Sequence, residues 1–147
     1  MVDNKDTKAE YIDSQFEPFF VKGLQDFVRV PNLTPMVDPD YATNGLIQQA
    51  IECVDKYIQG LGIKGLSRTV VHPPGLNPMV VYVVEPSPGA TKNIMLYGHL
   101  DKQPYGPGWE EGLSPTDPVI RGEYMYGRGS TDDGYSAFAC MLAVKAI

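Results

Sequence analysis

The sequence predicts an α/β fold in which a mixed sheet is flanked by helices. Two observations carry that prediction. Apolar residues recur at helical spacing near both ends of the chain. Between them lie short, continuously apolar runs bounded by Pro, Gly and Asn. Helices with one apolar face and buried strands are each stable only when layered against the other. At 147 residues the chain is one domain or part of one.

The first helix is expected from about Asp13 to Val30. Phe16, Phe19, Phe20, Leu24, Phe27 and Val28 draw its apolar face. Ser14-Gln15-Phe16-Glu17 resembles a capping box, Pro18 makes the helix restart or kink, and Pro31 ends it. Pro31 to Pro39 reads as a loop. A second helix is expected from about Thr43 to Leu61, with Ile47, Ile51, Val54, Ile58 and Leu61 in one stripe and Gly60 and Gly62 as its stop.

Three strands should follow: Thr69 to His72, Met79 to Val84 and Asn93 to Tyr97. The last two are continuously apolar and so are expected to be buried, Met79–Val84 on both faces. The connections are shorter than a parallel crossover requires, so neighbours among these strands should pair antiparallel. Residues Gln103 to Pro118 form a loop with four prolines and three glycines. Val119–Arg121 and Tyr124–Tyr126 read as a hairpin around Gly122-Glu123. A last helix should start near Asp133 and turn Phe138, Met141, Leu142 and Val144 to the core. It reaches Ile147 without a stop signal, which is expected of a truncated domain.

Composition narrows the function. The chain is 43% hydrophobic and 20% charged, with 12 basic and 18 acidic residues and a net charge of −6. No basic stripe is present to neutralise phosphates, which argues against nucleic acid and against anionic membrane surfaces. Met1 to Asp6 is polar, without a signal core, and no apolar run is long enough to span a bilayer. A cytoplasmic location is therefore expected. Cys53 and Cys140 both fall in apolar helical patterns and read as two buried thiols rather than a disulfide.

Two segments carry chemistry. His99 and Asp101 lie two apart at the end of an apolar run, so strand alternation puts both side chains on one face. A metal-binding imidazole usually has its second nitrogen held by a carboxylate or carbonyl, and His-x-Asp supplies that pair; it also reads as a solvated ion pair. Asp132 and Asp133 follow Gly127-Arg128-Gly129-Ser130-Thr131 and precede a helix. One of the two caps that helix, or Asp133 caps while Asp132 turns to a metal. Glu110-Glu111 reads as a solvated loop pair and His72 as a turn residue. Tyr97, Tyr124 and Tyr126 are expected to pack around the site. A phosphate-loop reading of Gly127-Arg128-Gly129 is disfavoured because a third glycine is lacking and two aspartates follow.

Taken together, Leu96-Tyr97-Gly98-His99-Leu100-Asp101 and Tyr126-Gly127-Arg128-Gly129-Ser130-Thr131-Asp132-Asp133-Gly134 resemble the zinc-dependent exopeptidase family of carnosine dipeptidase, aminoacylase and glutamate carboxypeptidase. Trp109, Pro118 and the run around Tyr126 fit the same pattern. Gly134-Tyr135-Ser136 stands where carnosinase-like members usually have Lys-Gly, as in a separate branch. The resemblance implies that residues 1–147 are the N-terminal portion of a phosphorylase/hydrolase-like catalytic domain. It further implies that the C-terminal half of that domain and a lid (dimerisation) domain lie outside the chain.

By the same resemblance His99 is a terminal ligand to one zinc ion, Asp132 bridges two, and Asp101 is the catalytic acid that orients His99. A cis peptide bond after Asp132 is implied as well. The reaction implied is hydrolysis of an amide bond in a dipeptide or N-acyl amino acid by zinc-activated water, in a homodimer. Manganese or cobalt suits the same donors. The glutamate base and the remaining ligands are expected outside this chain, so the 147 residues alone should bind zinc weakly and turn over no peptide. The competing reading is a non-enzymatic structural or partner-binding module, with a partner chain covering the edge of its sheet.

Overall fold

A computed structural model describes residues 4–147, with side chains from residue 7 onward; Met1, Val2 and Asp3 of the acidic N-terminal stretch lie outside the described residues. The elements in order are α1 (Asn4–Gln15), a π-helical turn (Phe16–Val21), α2 (Lys22–Arg29), α3 (Leu46–Leu61), β1 (Leu66–Val71), β2 (Met79–Val84), β3 (Val119–Arg121), β4 (Tyr124–Tyr126) and α4 (Tyr135–Ala146).

The first helix starts well before Asp13. Residues 4–15 favour helix but carry no clear apolar stripe, so periodicity alone does not reveal them. Ser14 is therefore not a cap: its hydroxyl donates to the Tyr11 carbonyl at 2.7 Å, inside the helix. Pro18 has no N–H to give to the residue four back. The chain widens to a π turn around it instead of stopping. At Val30, φ −70° and ψ 118°, the backbone turns extended ahead of Pro31, as the residue before a proline prefers.

Helices α2, α3 and α4 enclose the core. Leu24 and Phe27 meet Ala50, Val54, Tyr57, Ile58 and Leu61, and both sets meet Phe138, Met141 and Leu142. The Tyr57 and Phe138 ring centroids are 4.8 Å apart, and the buried Tyr57 hydroxyl donates to the Phe138 carbonyl at 3.2 Å. Phe27 and Phe138 are fully buried, each adding about 1.5–3 kcal/mol by area removed from water. Helix α3 begins at Leu46 rather than Thr43, because Asn44 Oδ1 accepts the Leu46 N–H at 2.9 Å. Gly62, at φ 58°, ends the helix as expected.

The α/β class holds, and its sheet component is two antiparallel two-stranded sheets. Strand β1 pairs with β2 from Leu66↔Val84 to Val71↔Met79, and β3 pairs with β4 from Val119↔Tyr126 to Arg121↔Tyr124. The β3–β4 hairpin turns on Gly122-Glu123, where it was expected. Arg68 of β1 faces Tyr82 of β2 across the first sheet, and both side chains reach Asp55 of α3. Arg68 Nη2 lies 2.6 Å from Asp55 Oδ2, and the Tyr82 hydroxyl donates to Asp55 Oδ1.

Two burial expectations are corrected. Strand β2 is covered on one face only: Val80 and Tyr82 are half-buried, whereas Met79, Val81, Val83 and Val84 are exposed. Residues 93–97 form no strand, and Ile94, Met95, Leu96 and Tyr97 lie exposed, Met95 at 92%. A strand needs a hydrogen-bonded neighbour, and among the described residues none pairs with this segment. Apolarity favours burial without supplying the partner.

Candidate functional site

Residues 98–102 run along the C-terminal end of α2 and are fastened to it by their backbone. Asn32, fully buried, donates from Nδ2 to the Leu100 carbonyl at 2.7 Å. The Thr34 N–H donates to the Lys102 carbonyl at 2.8 Å. Lys102 itself is 1% exposed. Its ammonium donates to the carbonyls of Phe27 (2.8 Å), Val28 (3.1 Å) and Val30 (2.5 Å) and lies 4.3 Å from the Phe27 ring centroid. These carbonyls lie at a helix C-terminus, where the peptide dipoles favour a cation; that of Phe27 also accepts the Val30 N–H at 3.0 Å. Burial pulls Lys102 down to about 7, while three carbonyls and a π-face favour the charged form.

The second segment enters from β4. The Arg128 N–H donates to the Pro115 carbonyl at 2.7 Å, and Ser130 N donates to the Gly127 carbonyl at 3.3 Å. Two of the loop amides are thus spent internally rather than presented to a phosphate. Gly129 adopts φ 88°, and a Cβ there would sit 2.8 Å from Lys102 Cε, so the lysine stem runs directly over this glycine. The Asp132–Asp133 peptide bond is cis.

The two segments meet at His99. Its backbone N–H donates to Asp133 Oδ2 at 3.1 Å, and Ser136 Oγ donates to the same oxygen at 3.0 Å. Asp133 therefore does not cap α4 with its side chain; it joins the helix start to the histidine backbone. His99 Nδ1 lies 3.1 Å from the Asp101 carbonyl and 3.3 Å from Asp101 Oδ1. On the other edge of the ring, Nε2 lies 3.4 Å from Asp132 Oδ1. The side chains of His99 and Asp101 are about one third exposed (32% and 31%), and that of Asp132 is 59% exposed.

This geometry has a direct chemical reading. A proton on Nδ1 is shared with Asp101, which leaves a lone pair on Nε2. That lone pair and an Asp132 carboxylate oxygen then face each other at 3.4 Å, an arrangement stabilised by a cation or proton between them. Donors bound about 2.0–2.2 Å from one zinc ion at a tetrahedral angle are themselves about 3.4 Å apart. His99 and Asp132 therefore fit two positions of one metal ion. Among the described residues, no group of three or more His, Cys, Asp or Glu side chains gathers as a metal site.

The remaining candidates fall elsewhere. Glu110 is 79% exposed, with Oε2 3.7 Å from Arg121 Nη1. His72 is exposed after β1. Tyr97 and Tyr124 are solvent-exposed, contrary to the expectation that they pack around the site. Tyr126 lines a shallow cavity of about 350 Å³ with Tyr105, Trp109 and Arg128. Cys53 and Cys140 are both unpaired and half-buried. Lys102, Asn32 and the linking role of Asp133 escaped the sequence reading. A lysine in a polar loop is exposed by default, and no local pattern marks this one as buried. Among the described residues no helix is long and apolar enough to cross a membrane.

Comparison with known proteins bears on the same two segments. Residues 95–147 match the family model described as Peptidase family M20/M25/M40. The chain is similar to a succinyl-diaminopimelate desuccinylase of Erythrobacter litoralis, 28% identical over 120 residues, which are 81% of this chain and 29% of the relative. A protein of the same name from Helicobacter hepaticus is 30% identical over 132 residues, with the same shares. One from Novosphingobium aromaticivorans is 36% identical over 67 residues, 46% of this chain and 17% of the relative. The chain thus spans less than a third of the length of these curated relatives.

Proposed function

We propose that the chain, whose residues 95–147 match the model of peptidase family M20/M25/M40, supplies half of the metal centre of a hydrolase that cleaves amide bonds. The observation that carries this reading is the 3.4 Å approach of His99 Nε2 to Asp132 Oδ1, which joins two segments distant in sequence. The substrate class is a dipeptide or an N-acyl amino acid. The desuccinylase names of the relatives favour the N-acyl arm.

In this reading a divalent ion, zinc in the first instance, would supply Lewis acidity that lowers the pKa of water to about 7. His99 offers Nε2 to it. Asp101 holds Nδ1 and keeps the ring in the tautomer and orientation that expose Nε2. Asp132 offers Oδ1, and its exposure leaves the second oxygen open to a second cation. Asp133 fixes the His99 backbone through its N–H, so the two donor segments keep their spacing when no ion is bound. A general base and further ligands are not assembled among the described residues. Full activity is therefore assigned to the whole protein, which the family resemblance expects to be a homodimer.

The test is a zinc titration of the 147-residue chain by calorimetry, followed by an assay with a dipeptide and an N-succinyl amino acid. Weak zinc binding that disappears in His99→Ala, with no turnover by the chain alone, is the expected result. Zinc binding that is untouched by both His99→Ala and Asp132→Ala would overturn the assignment.

A further inference from the structure

Among the described residues, Lys102 is the one buried ammonium, and the proposed chemistry leaves it without a task. The residue ties together three parts of the molecule, two through its side chain and one through its backbone. Its nitrogen closes the end of α2 through the carbonyls of Phe27, Val28 and Val30. Its stem lies over Gly129, three residues before Asp132. Its own backbone continues the turn that carries His99 and Asp101, and its carbonyl accepts the Thr34 N–H at 2.8 Å. Each segment that brings a donor to the site thus rests on the same side chain, and that side chain is anchored to a helix of the core.

We infer that Lys102 is a positioning residue for the metal centre: its buried side chain acts as the spacer that sets His99 against Asp132. The inference rests on the reading that these two residues hold a metal. Geometry supports it in two ways. A cation with three N–H donors meets three carbonyls grouped at one helix end, of which that of Phe27 also accepts the Val30 N–H at 3.0 Å, so the nitrogen is held at one place. Gly129 has no Cβ, which lets the stem pass against the backbone there. A shorter or neutral side chain would remove the contact at Gly129 and take the ammonium donor from the helix-end carbonyls of Phe27, Val28 and Val30. The distance between Nε2 and Asp132 Oδ1 would then be held by the bond from the His99 N–H to the Asp133 carboxylate and by the packing of Gly127 and Gly134 on α2.

The chain contains two histidines, His72 and His99, so imidazole NMR signals provide an internal comparison that needs no metal. In the wild-type chain, nuclear Overhauser contacts are expected from the Lys102 ε-methylene to both the Phe27 ring and the Gly129 α-protons. In Lys102→Met the His99 ring signals should move while those of His72 stay in place, and zinc affinity should fall about ten-fold, as for loss of an outer-shell partner. Lys102→Arg, which keeps the charge and the donors, should return the His99 signals part of the way. Unchanged His99 signals in a folded Lys102→Met chain would overturn the inference. Should that variant not fold, absence of either wild-type contact would overturn it. Failure of the wild-type chain to bind zinc would count against the metal reading, whereas the metal-free ring signals would still decide the role of Lys102.

Discussion

The backbone N–H of His99 and the carboxylate of Asp133 are joined by a 3.1 Å hydrogen bond that links the two donor-bearing segments without using either proposed ligand side chain. The same carboxylate takes the Ser136 hydroxyl from the first turn of α4. Asp133→Ala removes the acceptor for both. A loss of about 1–3 kcal/mol in unfolding free energy is expected, because a half-buried N–H is left without a partner. Urea unfolding measures the loss, and amide exchange at His99 should accelerate. An unchanged midpoint together with unchanged exchange would contradict the role given to Asp133.

Gly134 sits where the cis Asp132–Asp133 turn enters α4, and a Cβ there would collide with the Phe27 ring and lie 2.5 Å from the Gly129 carbonyl oxygen. Backbone cannot yield as a flexible side chain does. Gly134→Ala should cost about 1–3 kcal/mol, seen as a lower thermal midpoint. A variant as stable as the parent would mean that the turn is looser than described.

Three substitutions separate the ligands from the residue that orients them. His99→Ala and Asp132→Ala should each abolish zinc binding by the chain. Asp101→Asn should weaken it by about 10–100-fold, the range for outer-shell partners. Glu110→Gln should leave it unchanged, since Glu110 is solvated beside Arg121. Calorimetric titration of the four variants gives the order; a loss at Glu110 as large as that at His99 would refute it.

Cys53 is held as a thiol. Burial first, and then the charge of Asp26, push it up to about 11. A raised thiol pKa reduces the thiolate at neutral pH, so only about one molecule in a thousand is reactive at pH 8. Alkylation of Cys53 by iodoacetamide, followed by peptide mass mapping, should rise about ten-fold per pH unit from pH 7 through pH 10. A plateau before pH 9 would show an ordinary thiol.

The run Ile94-Met95-Leu96-Tyr97 presents a contiguous apolar surface, with Ile94 84% and Met95 92% exposed. Such a surface associates in water, and an unpaired extended backbone adds hydrogen-bonding groups to the attraction. Light scattering of the 147-residue chain should show mass increasing with concentration, and the double variant Ile94→Lys with Leu96→Lys should suppress the increase. A monomer at all concentrations would argue that the strip is covered in solution.

The legible parts of this fold are those in which neighbours in sequence are also neighbours in space. The stripe Val54, Ile58 and Leu61 packs with Leu24, Phe27 and Phe138 because a helix face follows from spacing alone. The β3–β4 hairpin follows from its two-residue turn. Asn93–Tyr97 was misread because strand formation depends on a partner that local composition does not contain. At the site, His99, Asp101 and Asp132 stood out one segment at a time. Their convergence followed from the family resemblance and not from spacing. Lys102 stayed hidden because its burial comes from the end of α2, more than seventy residues away.

The three-way contact at Asp55 has a consequence for folding accuracy. Arg68 and Tyr82 are directly opposite one another in the β1–β2 ladder, and both end on that one carboxylate. A slip of the ladder by one residue would turn one of the two side chains to the opposite face, out of reach of α3. Strand β2, with Val80, Val81, Val83 and Val84, offers little side-chain variety to distinguish one alignment from the next. The helix therefore proofreads the hairpin: an alignment error that valines alone would tolerate is rejected because it strands an arginine or a tyrosine hydroxyl.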